Sequence, residues 1–182
     1  MMTFELYNQQ NAPADSQPLL EKSVKSFGMI PNLHAVLAES PAVLEAYQTL
    51  HTLFQKTSFD AEEITVVWQT INVEHECHYC VPAHTAIAHS MKVDPVLINA
   101  LRDRTELPNR KLQVLHLTTL SLVRNRGQLR EQELADFFAA GYERRHILEI
   151  ILGISQKVIS NYTNHQADTL VDAPFQKFEW NA

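Results

Sequence analysis

Residues 60–89 read DAEEITVVWQTINVEHECHYCVPAHTAIAH, and two helical patterns meet inside this stretch. Asp60 followed three residues later by Glu63 has the form of a capping box, in which each side chain accepts from the other residue's backbone N–H at a helix start. Ile64, Val67, Trp68 and Ile71 then recur at i, i+3, i+4 and i+7, the spacing of one buried helical stripe. Pro82 limits where a second helix can begin, because a proline beyond the first turn costs about 3 kcal/mol and removes a backbone hydrogen bond. That places the second start near Glu76 to Tyr79, with Cys80 in the first turn and Cys77 at or just before it. Cys77, Cys80 and His84 are spaced i, i+3, i+7, so a helix turns all three to one face, which Ile87 and Met91 continue.

Outward from this stretch the chain reads as helix nearly throughout, and no segment alternates in the manner of a strand between hairpin turns. Gln17 to Phe27 carries Leu19, Leu20, Val24 and Phe27 on one face, and Gly28 suits the left-handed residue after a helix. Pro31-Asn32 opens a short helix with Leu33, Val36 and Leu37. Ser40-Pro41, a cap followed by proline at the first helical position, opens one running to about Lys56. Asp94-Pro95 starts a helix through Leu101, and Pro108 starts one ending near Gly127. Glu131 to Ala140 is closed by Gly141, and a long final helix spans about Glu143 to Asp168. The expectation is an all-α bundle of about seven or eight helices forming a single domain over residues 17–182, preceded by an irregular arm over 1–16. The aliphatic face of the last helix, with Ile147, Ile150, Ile151, Ile154, Val158, Ile159 and Tyr162, points to a homo-oligomer or to a central helix of the monomer.

A chain of 182 residues that is 45% hydrophobic buries a core without metal or disulfide support. The formal charge of -6, with basic residues scattered, argues against nucleic acid or an anionic membrane as partner. No stretch has the length and apolarity of a membrane span or a signal peptide, so a cytoplasmic protein is expected. There, structural disulfides are rare, and a lone C-x-x-C reads as redox or metal chemistry.

The thiolate, not the thiol, attacks a peroxide or disulfide. Cys80 near a helix N-terminus faces unpaired N–H groups and the positive end of the helix dipole, and His84 one turn on can take its proton or pair with it as imidazolium. Cys77 can resolve a sulfenic acid on Cys80 as an intramolecular disulfide. Two further readings compete with this one. The cysteines can be small apolar core residues, or Cys77, Cys80 and His84 can hold zinc with His75, His78 or His89 as fourth ligand. His34, His51, His116 and His146 read as structural or surface residues. Asn161, Asn164 and His165 share a face suited to polar contacts across a helix or subunit interface.

The segment Glu74 to His84 resembles the C-x-Y-C-x-x-x-H signature of the carboxymuconolactone decarboxylase superfamily, in its alkylhydroperoxidase D-like, peroxidase-related branch. The resemblance extends to Gly28 to Leu33, Ser40 to Leu44 and Asn161 to His165. It implies an all-α fold assembled as a homotrimer or homohexamer, no haem, flavin or metal cofactor, and electrons from an external thiol reductant. It also implies that Cys80 attacks the peroxide, that Cys77 is the more exposed thiol that exchanges with the reductant, and that His84 and Tyr79 match the family histidine and tyrosine. Members named for lactone decarboxylation lack the cysteine pair, so that activity is not expected. The family's relay glutamate falls twelve residues before Cys77, where this chain has Thr65. Glu74 is the first choice to replace it and Glu62 the second. The expected function is a thiol-dependent alkyl hydroperoxidase or protein disulfide reductase in antioxidant defence, through Cys77, Cys80, His84 and Glu74. The alternative is a non-catalytic redox-sensing or zinc-binding oligomer.

Overall fold

The computed structural model describes residues 4–181. Among them the chain forms nine α-helices and no strand: α1 (Gln17–Phe27), α2 (Asn32–Leu37), α3 (Pro41–Phe54), α4 (Ala61–Glu74), α5 (Cys80–Ser90), α6 (Pro95–Arg102), α7 (Arg110–Arg124), α8 (Glu131–Ala139) and α9 (Arg144–Ala167). Eight of these have at least eight residues, in line with the expected bundle. Residues 4–16 hold only a 3-10 turn at Ala14–Ser16, and the first three residues of the expected arm lie outside the described part.

Helix α4 organises the molecule. Its capping box forms as the sequence predicts, with Glu63 N donating to Asp60 Oδ1 at 2.9 Å and Asp60 N to Glu63 Oε2 at 3.1 Å. Every residue from Glu63 to Val73 is buried. A helix covered all round must partner its own polar groups. Glu63 accepts from Lys111 Nζ at 2.8 Å, and Gln69 Nε2 donates to Val81 O at 3.1 Å and to Thr85 at 3.0 Å. Helices α5, α6, α7 and α9 pack around α4.

Helix α9 approaches closely because of Gly153, where an added Cβ would meet the Phe54 ring at 2.8 Å and Val67 at 3.0 Å. Its buried stripe changes character along its length. His146, Ile150 and Gly153 give way to Gln156, Lys157, Ser160, Asn161 and Asn164. Much of the aliphatic face read from the sequence lies elsewhere on the helix, and Leu148, Ile151 and Tyr162 are exposed.

Two apolar clusters result, one around Trp68, Ile71, Leu97 and Leu115, the other around Leu20, Leu33, Leu44, Tyr47 and both cysteines. Some boundaries differ from expectation. Ser40 sits at the α3 N-cap without a side-chain cap bond. Helix α7 starts after Asn109, whose side chain accepts from Lys111 N at 2.8 Å and Leu112 N at 3.2 Å, rather than at Pro108. A 3-10 segment at Ala173–Phe178 has no helical pattern to announce it. It is tied down at both ends, by Asn32 N on Asp172 at 3.0 Å and by Arg102 on Phe178 O at 3.0 Å. No helix among the described residues is long and apolar enough to cross a membrane.

Candidate active site

The link between α4 and α5 places the thiols. Helix α4 closes in a Schellman arrangement: Cys77 N donates to Asn72 O at 3.0 Å and Glu76 N to Val73 O at 3.1 Å, with Glu76 in the left-handed region at φ 52°. Cys77 therefore sits just outside α5, and Cys80 is its first residue, as the position of Pro82 requires. The Cys80 N–H, free of any helical partner at this end, points to Cys77 Sγ at 3.2 Å. Tyr79 between them donates to Asp172 Oδ2 and accepts from Leu33 N, which fastens the cysteine loop to α2 and to the C-terminal segment.

Both sulfurs are covered, Cys77 at 0% and Cys80 at 1% exposure. Asn164 Nδ2 lies 3.2 Å from Cys80 Sγ and 3.9 Å from Cys77 Sγ. Lys157 is also fully buried, with Nζ 2.8 Å from His84 Nε2. Burial is the largest influence on Cys80 and pushes its thiol up. The Cys77 thiol, the Lys157 ammonium and the amides of Asn164 and Asn161 together outweigh it and bring Cys80 down to about 5. Cys77 moves the opposite way, raised by burial and then by its neighbour Cys80. The two directions favour the proton on Cys77 and the negative charge on Cys80. Lys157 is itself lowered, first by burial, while the thiols act to keep it charged.

The sequence allows His84 two roles, acceptor of the Cys80 proton or imidazolium partner of the thiolate, and its surroundings disfavour the imidazolium. Burial first, then Lys157, holds it well below the ordinary imidazole range, so it is neutral and accepts from Lys157 at Nε2. Its Nδ1 is buried without a partner. Glu74 is not brought to the thiols either. Its two carboxylate oxygens engage the Arg124 guanidinium at 2.7 and 2.9 Å, and among the described residues it makes no hydrogen bond to Cys77, Cys80, His84 or Lys157. Thr65, at the position of the expected relay, donates back to Ala61 O at 2.8 Å within its own helix.

Lys157, Asn161 and Asn164 are the site residues that the sequence reading did not place at the thiols. The available signal was a polar stripe, Gln156, Lys157, Ser160, Asn161 and Asn164, interrupting the aliphatic pattern of α9. Asn161 donates to Asn72 Oδ1 at 3.0 Å and meets His75 Nδ1 at 2.9 Å, whereas His165 is exposed. Among the described residues no group of three or more His, Cys, Asp or Glu side chains is placed to hold a metal ion.

A cavity of about 470 Å³ opens onto Cys80, His84 and Lys157 but not onto Cys77. Phe27, Met29, Tyr47, Ile87 and Phe175 form its apolar walls, and His34 and His51 also line it. Its only formally charged side chains are Lys22 and Lys157; no carboxylate lines it, in a chain of net charge -6.

No family model and no curated protein matches the sequence. Solved structures do. An uncharacterized peroxidase-related protein from Ralstonia eutropha JMP134, described as an alkylhydroperoxidase AhpD core, superposes with a TM-score of 0.80 at 16% identity, covering 96% of each chain. A peroxidase-related protein from Silicibacter sp. TM1040 gives 0.79 at 17% identity, over 96% of this chain and 95% of its own. The debrominase Bmp8, in a variant bound to 2,3,4-tribromopyrrole, gives 0.79 at 14% identity, over 97% and 95%. The chain has the alkylhydroperoxidase D-like fold.

Proposed function

We propose that this chain is a thiol-dependent peroxidase that reduces an organic hydroperoxide at Cys80 and is returned to its dithiol form by an external thiol donor. The observation that carries this reading is the placement of Cys80 and the fully buried Lys157 together on the wall of one cavity that Cys77 does not line. The Cys80 thiolate attacks the terminal oxygen of the hydroperoxide, the O–O bond breaks, and the departing alkoxide takes a proton to leave as alcohol. Lys157, cationic and lowered from the ordinary lysine range by burial, is the proton source. Cys77 then attacks the sulfenic sulfur of Cys80; its retained proton leaves with the hydroxyl as water, and the disulfide forms.

Reduction follows from access. Cys80 lines the cavity and Cys77 does not, so the donor thiolate attacks the disulfide at Cys80, releasing Cys77, which takes up a proton; a second donor thiol then attacks the mixed disulfide, frees Cys80 and leaves as the oxidised donor disulfide. Cys77 is no more exposed than Cys80, whereas the family resemblance implied a more exposed Cys77, and access through a cavity favours a small disulfide over one in a folded protein as an alternative substrate. The proposed setting is cytoplasmic antioxidant defence, with the chain working as a homotrimer or homohexamer. A debrominase on the same fold makes reductive dehalogenation at the same thiolate the second reading, which the aromatic cavity also suits.

The test is peroxide consumption with dithiothreitol as donor. Wild-type protein should turn over and lose two alkylatable thiols on oxidation. Cys80→Ser should be inactive, and Cys77→Ser should undergo one oxidation trapped as a sulfenic acid. Two thiols that survive excess organic hydroperoxide would overturn the peroxidase reading.

A further inference from the structure

The cavity contains a second piece of machinery that the thiol chemistry does not use. Trp68 Nε1, which can only donate, bonds Gln156 Oε1 at 2.7 Å. This orients the amide so that Gln156 Nε2 donates to His51 Nδ1 at 3.1 Å. With Nδ1 accepting, the ring proton of neutral His51 must sit on Nε2. Trp68 and Gln156 are both fully buried or nearly so, at 1% and 0% exposure, so neither has water as an alternative partner. The His51 ring is held flat on the indole, with centroids 5.2 Å apart and planes 3° from parallel. His84 lies edge-on to the same indole, with centroids 4.7 Å apart. His51 lines the cavity, and among the described residues its Nε2–H has no acceptor.

Burial, then the charge on Lys157, hold His51 down to about 4, which keeps it uncharged near neutral pH, and the Gln156 amide at Nδ1 sets its tautomer. A fixed neutral N–H donor on a wall of aromatic and aliphatic side chains selects for an acceptor atom on an apolar body. A volume of about 470 Å³ has room for a substituted benzene ring, far beyond the need of hydrogen peroxide.

We propose that the cavity is a binding site for a compact aralkyl molecule carrying an oxygen acceptor, with that oxygen held by His51 Nε2–H and the hydrocarbon packed against Phe27, Met29, Ile87 and Phe175. On the peroxidase reading, the ligand is an aralkyl hydroperoxide gripped by the oxygen attached to carbon, which leaves its terminal oxygen for Cys80. Gln156 and Trp68 are positioning residues: they act on the ligand through His51.

The site can be tested without turnover. Cumyl alcohol, the unreactive alcohol counterpart of an aralkyl hydroperoxide, is the probe, and isopropylbenzene, the same body without oxygen, is the control. Heteronuclear NMR of the imidazole nitrogens in wild-type protein should show His51 protonated at Nε2 and bare at Nδ1, with cumyl alcohol shifting the Nε2–H resonance and isopropylbenzene leaving it in place. His51→Phe should weaken cumyl alcohol about tenfold, the worth of one hydrogen bond, and change isopropylbenzene less than about threefold. A proton on Nδ1 in wild-type protein, or an alcohol that binds without touching the Nε2–H signal, would overturn the proposal even if His51→Phe does not fold. Because no oxidation is measured, an inert thiol pair with intact alcohol binding sinks the peroxidase reading alone, and active thiols with no His51 response sink the binding site alone.

Discussion

Lys157 brings an ammonium group to a position with no exposed surface, where its company is a neutral imidazole and two sulfurs. Such a charge is tolerable only against a nearby opposite one, and Cys80 supplies it by ionising. The two groups depend on each other, so removing either should move the other. Lys157→Met keeps the length and apolar stem but deletes the cation. The midpoint of the thiolate ultraviolet absorbance should then rise from about 5 in the wild type toward the ordinary thiol range. Loss of an opposite charge at this range lowers the thiolate fraction at neutral pH, and with it the rate of oxidation, by about tenfold or more. The pH profile of the wild type has a definite sign. Cys80 is depressed, so the thiolate is full above its midpoint and is lost as pH falls through about 5. The oxidation rate should be flat near neutrality and decline on acidification. An absorbance midpoint unchanged in Lys157→Met would show that the cation does not hold the thiolate.

The turn between α4 and α5 shows what local sequence reveals and what it hides. The capping box at Asp60, the α5 start at Cys80 and the left-handed Gly28 depend on residues within a turn of one another, and the sequence announces each. Lys157 and His84 are separated by 73 positions, and nothing near either one marks the contact. Glu74 lies three residues before Cys77 in the sequence, yet its carboxylate spans 50 positions to Arg124. The walls at Pro174 and Phe175 belong to a 3-10 segment without periodicity, fastened to the rest of the fold by long-range bonds. Glu76 itself occupies the left-handed position where helices usually end in glycine, at φ 52°, with only an exposed ion pair to Arg104 at 3.2 Å in return. Glu76→Gly should therefore raise stability by about 0.5–1 kcal/mol, read as a higher urea midpoint at unchanged slope. A lower midpoint would mean that the Arg104 contact outweighs the backbone strain.

At the scale of the whole molecule, the exposed apolar side chains of α9 are the surface to test for assembly. Leu148 is 69% exposed and Tyr162 54%. Sedimentation should give a trimer or hexamer, and Leu148→Glu should shift it toward monomer; a wild-type monomer at micromolar concentration would remove the case for assembly. The cavity that reaches Cys80 and misses Cys77 has a consequence in time as well as in space. On the proposed peroxidase reading, an oxidant and a reductant that share this cavity as their doorway take turns: one must leave before the other enters, and neither occupies it while the other reacts. Initial rates should follow a ping-pong pattern, with parallel double-reciprocal lines, and a large excess of the donor should slow turnover by standing in the doorway ahead of the peroxide. Intersecting lines would require a second route to the sulfurs, one that opens only when the molecule moves.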